Sequence, residues 1–321
     1  MSDVLNIERQ LPAVIIRINR PEKRNALSAA VLKALDETLA ELDEDPKIRG
    51  IVLTGNDEVF STGGDLKEAL AVQTVPEIRT WLENFRRANS RIESISKPVV
   101  AAINGFCLTG GLELALCCDI RIAGTGAQFG ITSSRIGTVA GAGATQRLAR
   151  LIGPEWAKEL LFSGDFIDAQ TALRIRLVSE VVGPEQVLSR ALARISAYAQ
   201  RAPLSVAYSK LAVNSGLQMD LESALHYERQ ITATLFMTHD RKEGTAAFLE
   251  KRAPQFKGEY GSPGVNQGDL SNDSQNRRRE YRHHLRKEAG SRLDHNQPPR
   301  NVQLARRQHR SRNYGLGDRC G

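Results

Sequence analysis

Cysteine is scarce in this chain. Its 321 residues include four, Cys107, Cys117, Cys118 and Cys320, and their spacing fits neither a disulfide framework nor a zinc site. The first three lie in apolar surroundings and read as core thiols. No apolar run approaches the ~18–20 residues that span a bilayer. The stretch from Met1 to Glu8 has neither a basic start nor an apolar signal segment, so the expectation is a cytoplasmic protein with no membrane partner. Acids are missing over one long interval: no Asp or Glu occurs between Asp119 and Glu155.

What is present suffices for a large core, since 41% of the residues are hydrophobic. The net charge of +7 is unevenly placed. Residues 258–321 hold 13 Lys/Arg and 7 Asp/Glu, which leaves 31 and 30 for the rest. The body is therefore nearly neutral and the basic character belongs to the tail. That tail is rich in Gly, Asn, Gln, Ser, Arg and His and poor in aliphatics. Such a composition cannot offset its ordering entropy and predicts disorder. Acids interrupt its arginines and only Tyr281 and Tyr314 are available to stack, so it reads as an extension rather than a nucleic-acid arm. His283 and His284 have no partner at metal-ligand spacing.

Hydrophobic spacing alternates between strands and helices. Leu11–Asn19, Arg49–Thr54, Val99–Ile103, Asp119–Ala123 and Val178–Val182 read as strands. Ser28–Asp43 reads as an amphipathic helix with Ser28 as N-cap and Leu32, Leu35, Leu39 and Leu42 on one face. Pro76–Ile95, Gly110–Cys118, Thr145–Leu151, Glu155–Phe162 and Asp168–Arg174 also read as helices. From Glu185 onward the pattern is helical, with segments at Val187–Ala199, Leu204–Asn214, Leu221–Met237 and Arg241–Lys251. The alternation indicates an α/β fold.

Two glycine pairs carry the chemistry. Gly63-Gly64 and Gly110-Gly111 each lie between a β-like run and a helix-like run. Without a Cβ, a glycine N–H approaches a ligand closely, and a helix beginning there adds its dipole. Two such N–H groups suit one thioester oxygen. Glu113 stands one turn beyond Gly110, among Leu112, Leu114, Ala115 and Leu116. An acid so placed either stabilises the helix start or, desolvated by those neighbours, exchanges protons beside an oxyanion; its apolar company favours the second. Asp65 and Glu68 have the spacing of a capping box.

An ordered set of segments resembles the enoyl-CoA hydratase/isomerase (crotonase) superfamily over about residues 1 to 257. The matching segments are Pro21–Leu27, Phe60–Lys67, Lys97–Gly105, Gly110–Asp119, Gln128–Gly130, Gly141–Leu148, Phe162–Asp165 and Asp240–Gly244. The resemblance implies a ββα spiral core over 1–200, a C-terminal helical trimerisation region over 201–257 and the tail over 258–321. It implies a homotrimer or a dimer of trimers, an acyl-CoA substrate, and no cofactor. It assigns the oxyanion hole to the N–H groups of Gly64 and Gly110, and one of two catalytic glutamates to Glu113. For the nucleotide end it points to Lys23, Arg24 and Ala26, to Thr62, Asp65 and Leu66 beside the adenine, and to Lys251.

Two positions depart from the family pattern. The second glutamate is replaced by Ser133, a water-holding group but a poor proton donor near neutral pH. Arg176 stands where a helix-ending glycine is usual, which predicts local strain. The expected activity is hydration of a 2-enoyl-CoA to a 3-hydroxyacyl-CoA. The alternatives are a double-bond isomerase or another enolate-type enzyme, whose partner group comes from the substrate, and a CoA-thioester-binding protein with weak catalysis.

Overall fold

The computed structural model describes residues 4–260. The tail from residue 261, with Cys320, four of the histidines, Tyr281 and Tyr314, lies outside the described residues.

Valine- and isoleucine-rich runs form the larger sheet. β1 (Leu5–Gln10) and β2 (Ala13–Ile18) make an antiparallel hairpin. β3 (Gly50–Thr54), β5 (Val99–Ile103), β7 (Ile120–Gly124) and β10 (Glu180–Val182) then add in parallel, giving the order β1-β2-β3-β5-β7-β10. Sequence pattern did not separate β1, and it began β2 two residues early, because Leu11-Pro12 forms the turn between them.

Both faces of this sheet are covered, as near-continuous apolar strands require. Ala13, Ile15, Val52, Val100, Ala102 and Ile122 pack against Val187, Ala191 and Ile195 of α8 (Val187–Ala199). On the other face Val14, Ile16, Ile51, Leu53, Val99 and Ala101 join a larger core. That core takes Leu32, Leu35, Leu39 and Leu42 of α1 (Ala29–Glu44) and Phe85 and Ile92 of α3 (Val75–Ser94). Ser28 caps α1 as its spacing predicts, accepting from the Val31 N–H at 3.3 Å.

A second, smaller sheet carries the site. β4 (Val59–Ser61), β6 (Phe106–Leu108) and β8 (Gln128–Gly130) run parallel, three residues each, with β9 (Ile167–Asp168) antiparallel at the edge. β4, β6 and β8 each follow a strand of the larger sheet and lead into helix, the expected strand–strand–helix repeat. β4 leads to α2 (Leu66–Ala71), β6 to α4 (Gly110–Ala115), and β8, through a 3₁₀ turn at Thr132–Ile136, to α5 (Ala144–Ile152). α6 (Pro154–Ser163) and α7 (Ala169–Arg174) complete this half.

The predicted capping box does not form. Asp65 caps α2 through the Lys67 N–H and pairs with Arg20 at 3.0 Å. Glu68 instead accepts from the Ala29 N–H at 2.9 Å and from Trp81 Nε1 at 3.3 Å. It caps α1, a helix far away in sequence, because tertiary packing brings that helix start within reach. Arg176 does take the strained conformation, with φ +65° just after α7. Cys107, Cys117 and Cys118 are buried thiols, and burial pushes Cys118 up to about 12.

The chain ends in α9 (Pro203–Gly216), α10 (Leu221–Phe236) and α11 (His239–Leu249). Beyond α11 the backbone folds back. Asp240, 2% exposed, accepts from the Lys257 and Gly258 N–H groups at 2.7 and 2.8 Å. Tyr260 Oη lies 2.7 Å from Tyr208 Oη. Among the described residues no helix is long and apolar enough to cross a membrane.

Candidate active site

The C-terminal ends of β4, β6 and β8 lie side by side, so three loops meet there: Ser61–Asp65, Thr109–Gly110 and Thr132–Ser133. Such strand ends are where open parallel sheets bind ligands.

The two sequence-predicted amides come together. A methyl group added to Gly63 (φ +105°) would lie 3.0 Å from the Gly110 nitrogen, and one added to Gly110 would lie 3.2 Å from the Gly64 nitrogen. The turns therefore touch, and side chains there would push them apart. Leu27 donates to the Gly63 carbonyl and accepts from the Asp65 N–H. Alternation along the chain then turns the Gly64 N–H to the opposite side. Gly110 is the first residue of α4, where the N–H has no acceptor within the helix. Neither N–H donates to a protein acceptor among the described residues. Trp81 and Phe85, edge to face at 5.0 Å, pack over this pair of turns.

Glu113 is buried, 2% exposed. It does not serve its own helix. Its Oε1 accepts from the N–H groups of Ala142 and Ala144 at 2.8 and 2.9 Å, at the N-terminus of α5. Oε2 makes no hydrogen bond to protein among the described residues. Burial pushes the carboxyl above its ordinary value, and the Ala144 and Ala142 amides and the Arg147 charge only partly oppose this. Arg147 is fixed by Glu93 through two bonds, at 2.7 and 2.8 Å.

A cavity of about 320 Å³ lies at the loop cluster. Gly64, Thr109, Thr132 and Ser133 line it, as do Lys23, Ala26, Thr62, Asp65, Leu66, Lys67 and Ile136. Most of the sequence-predicted site is thus in one place. Gly110, Glu113 and the exposed Arg24 and Lys251 are not among its lining residues. Arg24 contributes through its carbonyl, which accepts from the Thr62 N–H and hydroxyl at 3.2 and 3.1 Å. The Asp65 carboxylate is engaged by Arg20 and the Lys67 N–H, so a ligand meets this residue through its backbone. Ser133, 4% exposed, makes no side-chain hydrogen bond to protein among the described residues and is free to hold a water molecule.

Sequence reasoning assigned no role to Ala142, Ala144, Arg147, Thr109 or Lys67. The two alanines act through amides, which leave no side-chain signal. A larger cavity, about 450 Å³, is lined by Leu151, Ile152, Trp156, Arg174, Ile175 and Arg176. It shares no residue with the site and offers no carboxylate.

Comparisons with known proteins identify the family of the chain. The family described as enoyl-CoA hydratase/isomerase matches residues 9–259. A short-chain-enoyl-CoA hydratase of Clostridium acetobutylicum is 38% identical over 77% of this chain and 94% of its own. A 2,3-dehydroadipyl-CoA hydratase of Escherichia coli is 38% identical over 80% of this chain and 100% of its own. The crystal structure of an enoyl-CoA hydratase from Bacillus anthracis superposes with a TM-score of 0.76 at 38% identity, covering 80% of this chain and 100% of that one. With the matched region spanning the glycine pairs, Glu113 and the C-terminal helices, the chain belongs to the enoyl-CoA hydratase/isomerase family.

Proposed function

We propose that this protein is an enoyl-CoA hydratase that works with one carboxyl group. The observation that carries the mechanism is the asymmetric seat of Glu113: one oxygen is locked by two amides, while the other has no protein partner among the described residues. The hydratase names of its relatives support the reaction.

In this reading the Gly64 and Gly110 N–H groups hold the thioester oxygen. Water is held between Glu113 Oε2 and the Ser133 hydroxyl. Ionised Glu113 takes a proton from the water as its oxygen bonds to C3. The C2–C3 π electrons move toward the thioester, whose oxygen gains charge without reorganisation of its donors. The enolate then takes the proton from Glu113 at C2, which restores the carboxylate. A carboxyl raised above its ordinary value is better matched to both taking and returning that proton. Protein, water and substrate supply every atom in this sequence.

Lys23 and Lys67, on the cavity wall, suit the CoA phosphates by charge. Arg24 and Lys251 would contribute from outside the lining. We also propose a homotrimer or a dimer of trimers. Its support is the apolar side chains left open on the C-terminal helices: Val213, Leu217, Leu221, Phe236, Phe248 and Leu249 are 55–83% exposed.

Incubation with crotonyl-CoA in ¹⁸O-labelled water tests the reaction. Loss of enone absorbance with label in the product is expected. Glu113→Gln should lower turnover by about 10³-fold while acyl-CoA binding persists. Conversion of a 3-enoyl-CoA to its 2-enoyl isomer without label uptake, and no hydration, would replace this reading with isomerisation. Binding without any turnover would replace it with a binding protein.

A further inference from the structure

The turn that presents the Gly110 N–H rests on a residue ill suited to it. Thr109 has φ 46° and ψ −116°, a conformation that β-branched residues avoid. Strain of this kind persists only where the surroundings hold it. Here the backbone of Thr109 donates to the Gly130 carbonyl and accepts from the Glu113 N–H, each at 2.8 Å. Its Oγ1 accepts from the Thr132 N–H at 3.1 Å and lies 2.8 Å from Thr132 Oγ1. Glycine would adopt this turn without penalty, yet it would leave the Thr132 N–H and hydroxyl without a partner. What the position retains is therefore the hydroxyl.

These bonds join three parts of the site. The peptide after Thr109 carries the Gly110 N–H, its carbonyl receives the first turn of the helix that bears Glu113, and Thr132 directly precedes Ser133. We infer that the Thr109–Thr132 hydroxyl pair is a positioning clamp, which holds the oxyanion donor and the Glu113 turn in register with the Ser133 loop. The inference rests on the hydratase reading above. Neither threonine needs to exchange a proton, since each hydroxyl already faces the other. Their effect passes through the groups they hold.

Steady-state kinetics with crotonyl-CoA, thermal melting, and the absorbance of bound 4-(dimethylamino)cinnamoyl-CoA together test the clamp. The red shift of that probe reports polarisation of the thioester by the amide donors, independently of turnover. Thr109→Gly should still melt cooperatively, because the strain it releases is set against the partner it takes from Thr132. Its kcat should fall about 10–100-fold, the size of effect that misplaced groups give, with KM little changed and the probe's red shift reduced. Thr132→Val should behave alike in kcat and red shift. Thr109→Ser and Thr132→Ser keep the hydroxyls and should recover most of both. The double variant Thr109→Gly/Thr132→Val should be no slower than the slower single. Wild-type kcat and red shift in Thr109→Gly, or serine variants as slow as the hydroxyl-free ones, would overturn the clamp. A wild-type protein that shifts the probe but does not hydrate crotonyl-CoA would defeat the hydratase reading, and the clamp would then stand on the red shift alone. A wild-type protein that does neither would defeat both.

Discussion

Glu113 and Arg147 are coupled through a single residue. The N–H of Ala142 donates to the Glu113 carboxylate at 2.8 Å, and the carbonyl of Ala142 accepts from Arg147 at 3.1 Å. Asn89 donates to the same carbonyl at 2.9 Å. The guanidinium thus steadies a donor to the proposed catalytic acid while its charge favours the ionised form. Arg147→Met should move the acid limb of the pH–rate profile to higher pH and lower kcat about tenfold, a brace worth ~1.4 kcal/mol. Arg147→Lys keeps the charge without the two-pronged bond to Glu93, so the limb should stay while kcat falls. An unmoved limb in Arg147→Met would remove the charge from the account.

Glu113 sets the sign of two pH effects. Its folded value lies above the ordinary 4.5, and the proposed mechanism starts from the ionised form, so kcat/KM should decline on the acid side from a pH above 4.5. The stability that Glu113 contributes is full below its unfolded value and is lost as pH rises through the folded one. Glu113→Gln should therefore melt higher relative to the wild type at pH 8 than at pH 4.5. A limb at or below 4.5, or a melting difference of the opposite sign, would remove the buried-acid argument.

Ser133 is expected to hold water and no more. Ser133→Ala should lower kcat about tenfold, the weight of one hydrogen bond of ~1–1.5 kcal/mol. The acid limb should stay in place, because the titrating group is unchanged. A loss comparable to that of Glu113→Gln would give the serine a part in proton transfer and end the single-carboxyl mechanism.

Arg176 is a test away from the chemistry. Its left-handed φ of 65° costs a non-glycine residue ~1–2 kcal/mol, and glycine's extra unfolded freedom takes back ~0.5–1 kcal/mol. Arg176→Gly should stabilise the protein by about 0.5 kcal/mol, a rise of roughly 1–2 °C in Tm for a domain of this size. Turnover should not change. A lower Tm would mean that the Arg176 side chain makes contacts worth more than the strain.

The parts of the fold with long apolar signals were legible. The central strands β2, β3 and β5 of the larger sheet are near-continuous aliphatic runs, and α1 announces itself through Ser28 and its leucines. The site strands β4, β6 and β8 were not legible as strands, since three residues carry no period. What marked the site was the glycines that follow β4 and begin α4, together with an acid among leucines. The support of that acid was hidden in the amides of Ala142 and Ala144, more than 25 residues along the chain, at positions with small and silent side chains. Asp65 and Glu68 misled because local spacing says nothing about Ala29 arriving as a better partner for Glu68.

The return of the backbone onto Asp240 sets a boundary for shortening the protein. That carboxylate is out of water and depends on the amides of residues 257 and 258. Cutting the gene before codon 257 would take two donors from the buried Asp240 side chain at ~1–3 kcal/mol each, and would also take away the tyrosine that meets Tyr208. A stop codon just past residue 260 would spare both, so a trimmed enzyme for crystallisation begins its deletion there and no earlier.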